Sequence, residues 1–269
     1  MQSNNPVLKR ASFDTTQAVG ERMTINGTVG KTALLLVLAV VTGGWTWHRF
    51  ATAFAAAMEH VNFAPGTTEA MVRAQAAAEA MGTISVFLWG GLIVGFILAM
   101  VSVFKPRWSG ITAPVYALAE GFALGGLSAF MNLRFPGIVL QAVMLTFGVM
   151  AVMLVAYRAG WIRVTDKFRM CVVVGTCAIA LLYLVDIGLR AFTSVDIPFI
   201  HESGALGIGF SLLVVGLAAM NLALDFDIID QGVAQGAPKY MEWYGAFALM
   251  ITLVWLYMEI LRLLSKLRR

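Results

Sequence analysis

The residues with chemical potential in this 269-residue chain are acids placed where acids are rare. Glu120, Asp186, Asp225 and Glu259 stand inside or at the ends of long apolar blocks, and Asp227, Asp230 and Glu242 flank the last connection between such blocks. An Asp at the centre of a membrane helix costs about 2.5 to 3.5 kcal/mol on insertion scales, so function is the default reading of an ionisable residue there. Carboxylates can carry protons or ligate a hard cation such as calcium through oxygen. Each acid also has a plainer reading. Asp186 precedes Arg190 by four residues and Glu259 precedes Arg262 by three, spacings that pair charges along one helix. Asp227 and Asp230 can be solvated at a membrane surface, and Asp166, after Thr165, reads as a helix cap. Glu120 is different: no basic residue lies within a helical turn, so it must face a partner or water.

The elements that hold these acids follow from composition. The chain is 59% hydrophobic and 13% charged, against roughly 25% charged for soluble domains, and its mean hydropathy is +0.81. A soluble globular protein is excluded. The apolar residues fall in blocks of about twenty, the length a helix needs to cross a bilayer core. They lack the alternation of a membrane β-barrel, which leaves helices as the way to satisfy the backbone in lipid. The sequence predicts an all-α polytopic protein with seven spans, at residues 32–49, 84–104, 112–131, 137–157, 170–189, 205–225 and 244–264. An N-terminal segment, residues 1–31, is expected to remain in the mature protein on the cytoplasmic side, followed by one membrane domain over residues 32–266. The longest connection, Phe50 to Thr83, breaks at Pro65-Gly66 and restarts at Thr67-Thr68-Glu69, predicting a surface helix that feeds the second span.

Orientation follows from the basic residues. Lys9, Arg10, Arg22, Lys31, Lys105, Arg107, Arg158, Arg163, Lys167, Arg169 and Lys239 gather on one side, against Arg49, Arg73, Arg134 and Arg190 on the other before the tail. That puts the N-terminus in the cytoplasm. The tail charges Arg262, Lys266, Arg268 and Arg269 oppose this count, so the last helix either crosses despite them or re-enters.

Other chemistries find no residues. His48, His60 and His201 lie at span ends or in connections, so no pair within a span can hold a haem. There is no HExxH, no phosphate-binding glycine loop, no GxSxG elbow, and no lysine in the last span before Lys266 to carry retinal. No nucleophile is nominated, no cofactor is expected, and no basic groove suggests nucleic acid. Cys171 and Cys177, six apart, point away from each other on a helix and read as free, buried thiols. No matched Gly or Pro interruptions mark an inverted-repeat transporter. Gly121, Gly125, Gly126 and Ser128 read as a surface for close helix packing.

The run Asn221-Leu-Ala-Leu-Asp225-Phe-Asp227-Ile-Ile-Asp230, followed by Leu256-Tyr257-Met258-Glu259-Ile260-Leu261, resembles the end of the transmembrane Bax inhibitor motif family, in its bacterial branch. Glu120-Gly-Phe-Ala-Leu-Gly125 and Gln141-Ala-Val-Met-Leu-Thr146-Phe147 are also similar. The resemblance implies a seven-helix fold with the last helix central, an inner-membrane location, and a pH-sensitive calcium leak whose sensor is a pair of facing carboxylates. Those fall on Asp225 and Glu259, with calcium as the cation they would meet. Two carboxylates close together in low dielectric cannot easily both ionise and share a proton; losing it favours an opened or cation-bound state. The second acid is Glu where the family has Asp, and a last span starting near Tyr244 puts Glu259 about 22 Å along its helix. Asp186 is therefore a rival partner for Glu259 by depth. The alternative function is a non-conducting regulatory protein that binds a membrane protease or other partner through the N-terminal segment and the Phe50 to Thr83 connection.

Overall fold

The computed structural model describes residues 21–60, 68–192, 202 and 204–268. Among them are seven helices long and apolar enough to cross a membrane. They are α1 (Ile25–His60), α2 (Glu69–Phe104), α3 (Ser109–Arg134), α4 (Ile138–Arg158), α5 (Asp166–Phe192), α6 (Ala205–Ala234) and α7 (Met241–Leu267), with a short 3₁₀ turn at Pro106–Trp108. No strand is present among the described residues, and the fold is an all-α polytopic bundle. The predicted His201 and Pro65-Gly66 lie outside the described residues.

Several helices run past the expected spans. Thirty-six residues of α1 or of α2 measure about 54 Å at 1.5 Å per residue, well over a hydrocarbon core of roughly 30 Å. The Ala-rich connection is therefore the continuation of both helices rather than a separate surface helix. Val72, Ala76, Ala80 and Ile84 form a buried stripe at four-residue spacing on α2, and Phe50, Trp47 and Phe54 of α1 cluster with Ala80 and Ile84. Small side chains there let the backbones approach. Thr68 caps α2, its hydroxyl accepting from the Met71 amide.

The end of α6 differs in a way that matters more. It continues nine residues past the expected stop to Ala234, which moves Asp225 from the end of a span to its interior. The Asp227, Ile228, Ile229 and Asp230 run that looked like a surface connection is helical, because Ile229 and the preceding Phe226 are buried against neighbouring helices.

Helix α7 is the central element, as the resemblance implied. It packs against α1, α3, α4 and α6 and buries residues on every face, from Glu242 through Phe247, Leu256 and Ile260 to Lys266. Helix α5 is peripheral, packed on α6 and presenting Val174, Leu181 and Leu184 outward, while α2 exposes Val86, Trp89 and Phe96. Such exposed apolar faces are what lipid covers. Cys171 and Cys177 lie on α5 and are free as expected but exposed, not buried, because α5 has neighbours on one side only.

The predicted packing surface on α3 is confirmed. An ideal Cβ on Gly121 would stand 2.4 Å from the Ala39 carbonyl oxygen, and one on Gly125 would stand 2.2 Å from the Gly43 carbonyl oxygen, so backbone meets backbone where α3 crosses α1. Hydroxyls join other helices: Ser102 to Thr112 at 2.6 Å and Ser128 to Tyr257 at 2.7 Å.

The two ends of α7 settle whether the last helix crosses or re-enters. Its first turn meets the start of α1, where the Glu242 carboxylate accepts from the Thr24 amide at 2.9 Å and hydroxyl at 2.8 Å and pairs with Lys31. Beside it, residues 21–23 lie antiparallel to 237–239: the Met23 amide donates to the Ala237 carbonyl at 2.8 Å and the Lys239 amide to the Glu21 carbonyl at 2.9 Å. Hydrogen bonding to Glu21 holds the exposed Lys239 ammonium above its usual pKa. At the far end, Lys266 donates to the Gly207 carbonyl at 2.9 Å, and Arg268 donates to the Pro136 carbonyl and the Gln141 side chain, both at 2.7 Å. Helix α7 crosses the whole bundle. Of the tail charges that opposed the orientation count, Lys266 and Arg268 are held by backbone carbonyls and a side-chain amide of the protein.

Candidate functional site

Asp186, Asp225, Asp227 and Glu259 sit on α5, α6 and α7, and the sequence positions partners for them by a period that composition hides. Arg169, Thr176, Tyr183 and Arg190 recur every seven residues on α5, interleaved with Val172, Ile179 and Asp186. A heptad of this kind keeps one face of a helix on its neighbour. Val172 and Ile179 pack with Val214, Leu217 and Leu224 of α6. Arg169, Thr176 and Tyr183 make cross-helix bonds.

Arg169 donates to Asp227 Oδ2 at 2.8 Å, and Gln231 donates to the same oxygen at 2.7 Å. Asn221 Nδ2 donates to the Thr176 hydroxyl and to the Leu217 carbonyl, each at 2.9 Å. The Tyr183 hydroxyl donates to Glu259 Oε1 at 3.0 Å, while Arg262 bonds Glu259 at 3.1 Å and Tyr183, and lies over the Tyr183 ring at 4.8 Å. From Arg169 to Tyr183 this polar seam runs about 21 Å along α5.

Each predicted acid has a definite place. Glu259 is 2% exposed, and its local pairing with Arg262 is realised and joined by Tyr183. Asp186, 4% exposed, pairs with Arg190 at 3.4 Å, the spacing reading carried out with the acid buried. Asp225 meets the Thr252 hydroxyl of α7, and its Oδ2 is buried with no hydrogen-bond partner among the described residues. Asp230 accepts from the Tyr157 hydroxyl at 3.0 Å. Asp227 and Asp230 are thus ties from α6 to α5 and α4, not simply solvated surface acids. Glu242 belongs to the α1–α7 junction, away from this seam. Glu120 follows Tyr116 by one turn, with Oε2 3.1 Å from the point where a Cβ on Gly95 would stand. No hydrogen bond or ion pair joins Glu120 to another described residue. At the start of α5 the capping oxygen is that of Thr165, which accepts from the Phe168 amide at 3.2 Å; Asp166 is the first helical residue.

Asp225 and Glu259 are not in contact. Thr252, which meets Asp225, precedes Glu259 by seven residues, about 10 Å along α7. The two acids also differ in kind. Glu259 has a cation and a phenol beside it, whereas Asp225 has a hydroxyl. Asp186 lies one turn after Tyr183, which bonds Glu259, and itself pairs with Arg190. No group of three or more His, Cys, Asp or Glu among the described residues forms a metal cluster. Arg169, Thr176, Tyr183, Asn221 and Thr252 were not named as site residues from the sequence, although the seven-residue recurrence on α5 carried the signal for three of them.

Residues 5–269 match the family described as Bax inhibitor 1 like. The chain belongs to that family. This Bax inhibitor 1 like protein matches no curated protein and no solved structure. The match spans the bundle and the polar seam together, so the central α7 with its buried Glu259 is a feature of a family member, and the membrane character read from composition agrees with it.

Proposed function

We propose that this Bax inhibitor 1 like protein is a cation leak, passing calcium or protons down their gradient under control of carboxylate protonation. The observation that carries the reading is the polar seam: α5 faces α6 and α7 with Arg169, Thr176 and Tyr183, and acids or an amide answer each of them. Such a row of polar groups has a cost in lipid and is retained where ions or protons move. Asp225 supplies the switch. Its buried Oδ2 has no donor, so an ionised Asp225 calls for a cation or a rearranged neighbour, and Glu259 becomes its second ligand if α7 shifts along α6. Deprotonation then opens the path, and flux rises as pH rises. The membrane is the inner, plasma membrane, with the N-terminus in the cytoplasm, supported by the basic residues on that side.

The test is calcium entry into liposomes containing the full chain, followed with an internal dye across pH. Flux that rises with pH is expected, with Asp225→Asn flattening the profile and Glu259→Gln reducing flux severalfold. Flux indifferent to both substitutions would remove the sensor assignment, and absence of flux would favour the partner-binding reading. Tyr183→Phe, which removes the phenol between Glu259 and Arg262, is expected to shift the pH midpoint while leaving the folded protein intact by unfolding temperature. A reporter fused after Arg269 checks the orientation, with activity outside the cytoplasm as the expected result.

A further inference from the structure

Helices α1 and α4 flank α7 but scarcely pack on each other, and the space between them is not filled by side chains. Two cavities lie end to end there, about 300 and 220 Å³, both lined by Leu36 of α1 and Leu253 of α7. The larger lies toward Val143 and Trp47 and is apolar apart from the hydroxyls of Ser128, Tyr257 and Thr146, which are already bonded within the protein. The smaller ends at Arg158 and Asp230. Along α4 the pair extends from Val139 to Arg158, about 28 Å, so the groove runs most of the depth of a hydrocarbon core.

Water gains little in such walls, and the neighbours on the open side are lipid chains. What distinguishes this groove from an ordinary lipid-facing surface is its end. Arg158 is exposed and forms no ion pair among the described residues, and Asp230 accepts the Tyr157 hydroxyl on Oδ2 alone. One guanidinium and one carboxylate lining the same cavity complement a headgroup bearing a phosphate and a primary ammonium: the guanidinium binds phosphate through paired N–H donors, and the carboxylate accepts from the ammonium. A headgroup with phosphate alone would meet the Asp230 charge, and a quaternary ammonium could not donate to it.

We infer that the α1–α4 groove is a binding site for one zwitterionic aminophospholipid, with its phosphate on Arg158, its ammonium on Asp230 and an acyl chain running past Leu36 and Leu253 toward the larger cavity. Arg158, Asp230, Leu36 and Leu253 make none of the hydrogen bonds of the polar seam, so the inference does not rest on ion passage.

The experiment is native mass spectrometry of the full chain released from bilayers of equal phosphatidylethanolamine and phosphatidylglycerol, at an activation that strips surrounding lipid. One retained phosphatidylethanolamine per protein is expected, in severalfold excess over phosphatidylglycerol. Arg158→Gln and Asp230→Asn should each lower that excess at least threefold. Ala33→Phe, a substitution at an exposed position lining the smaller cavity, should abolish retention while leaving elution and unfolding temperature unchanged. Retention of both lipids without preference, or retention unaffected by Ala33→Phe in a folded variant, overturns the inference. A preference that survives both headgroup substitutions overturns it as well.

Discussion

Glu242→Ala is expected to lower the unfolding temperature more than any other single substitution of an acid in this chain. Glu242 is 2% exposed, and three donors converge on its carboxylate: the Thr24 amide, the Thr24 hydroxyl and the Lys31 ammonium. Thr24 in turn accepts from the Gly27 amide at 3.0 Å, capping α1, so the acid fixes the start of the first helix to the start of the last. A Cβ at Gly27 would stand against the Glu242 carboxylate, so a side chain there would have to displace it. Removing one partner of a buried ion pair costs about 3–5 kcal/mol. Lys31 remains 17% exposed and rests 5.4 Å from the Trp243 ring centre, which lowers the expected loss to roughly 2–4 kcal/mol. Thermal unfolding in detergent, followed by tryptophan fluorescence, measures it. Glu242→Gln should fall between parent and Ala, since an amide oxygen still accepts from Thr24. Parental stability of Glu242→Ala would mean that residues 21–24 do not hold α1 to α7.

The second large effect is expected at Gly125. A methyl group there would lie 2.2 Å from the Gly43 carbonyl oxygen and 2.6 Å from its Cα, contacts that only backbone movement relieves. Overpacking of this kind costs about 1–3 kcal/mol per site. Because Gly121 meets Ala39 and Thr42 one turn away on the same crossing, separating α1 from α3 at one point loosens the other. The double variant Gly121→Ala with Gly125→Ala is therefore expected to lose less than the sum of the singles. Gly44→Ala, with nothing within 4 Å of the added Cβ, is the control and should be neutral or slightly stabilising through helix propensity. Equal unfolding temperatures for Gly125→Ala and Gly44→Ala would contradict the backbone contact.

Much of the fold was legible because the bilayer imposes a coarse rule on sequence. Apolar blocks of about twenty residues must be helices, and seven of them were found at the expected places. Their ends were not legible, since the same rule is silent where helices leave the lipid. The Ala-rich stretch after Phe50 and the Asp227–Asp230 segment both look polar or weak as spans, yet both continue as helices because neighbouring chain segments bury Ala57, Val72, Ala76, Phe226 and Ile229. The candidate acids were visible as charges out of place. Their partners were not, except for Arg190 and Arg262, which lie within a helical turn and so are fixed by local geometry.

What the sequence determined by itself is therefore the solvent, the secondary structure and the list of groups able to carry charge, because each depends on residue type and short-range spacing. The tertiary structure decided which charges meet. Arg169 reaches Asp227 across 58 positions and Tyr183 reaches Glu259 across 76, distances that no local pattern encodes. It also decided which glycines matter. Gly43 and Gly44 are neighbours of one type, as are Gly90 and Gly91, yet one of each pair faces a helix backbone and the other open space. The reason is angular: successive residues on a helix point about 100° apart, and only the packing of a second helix says which direction is closed.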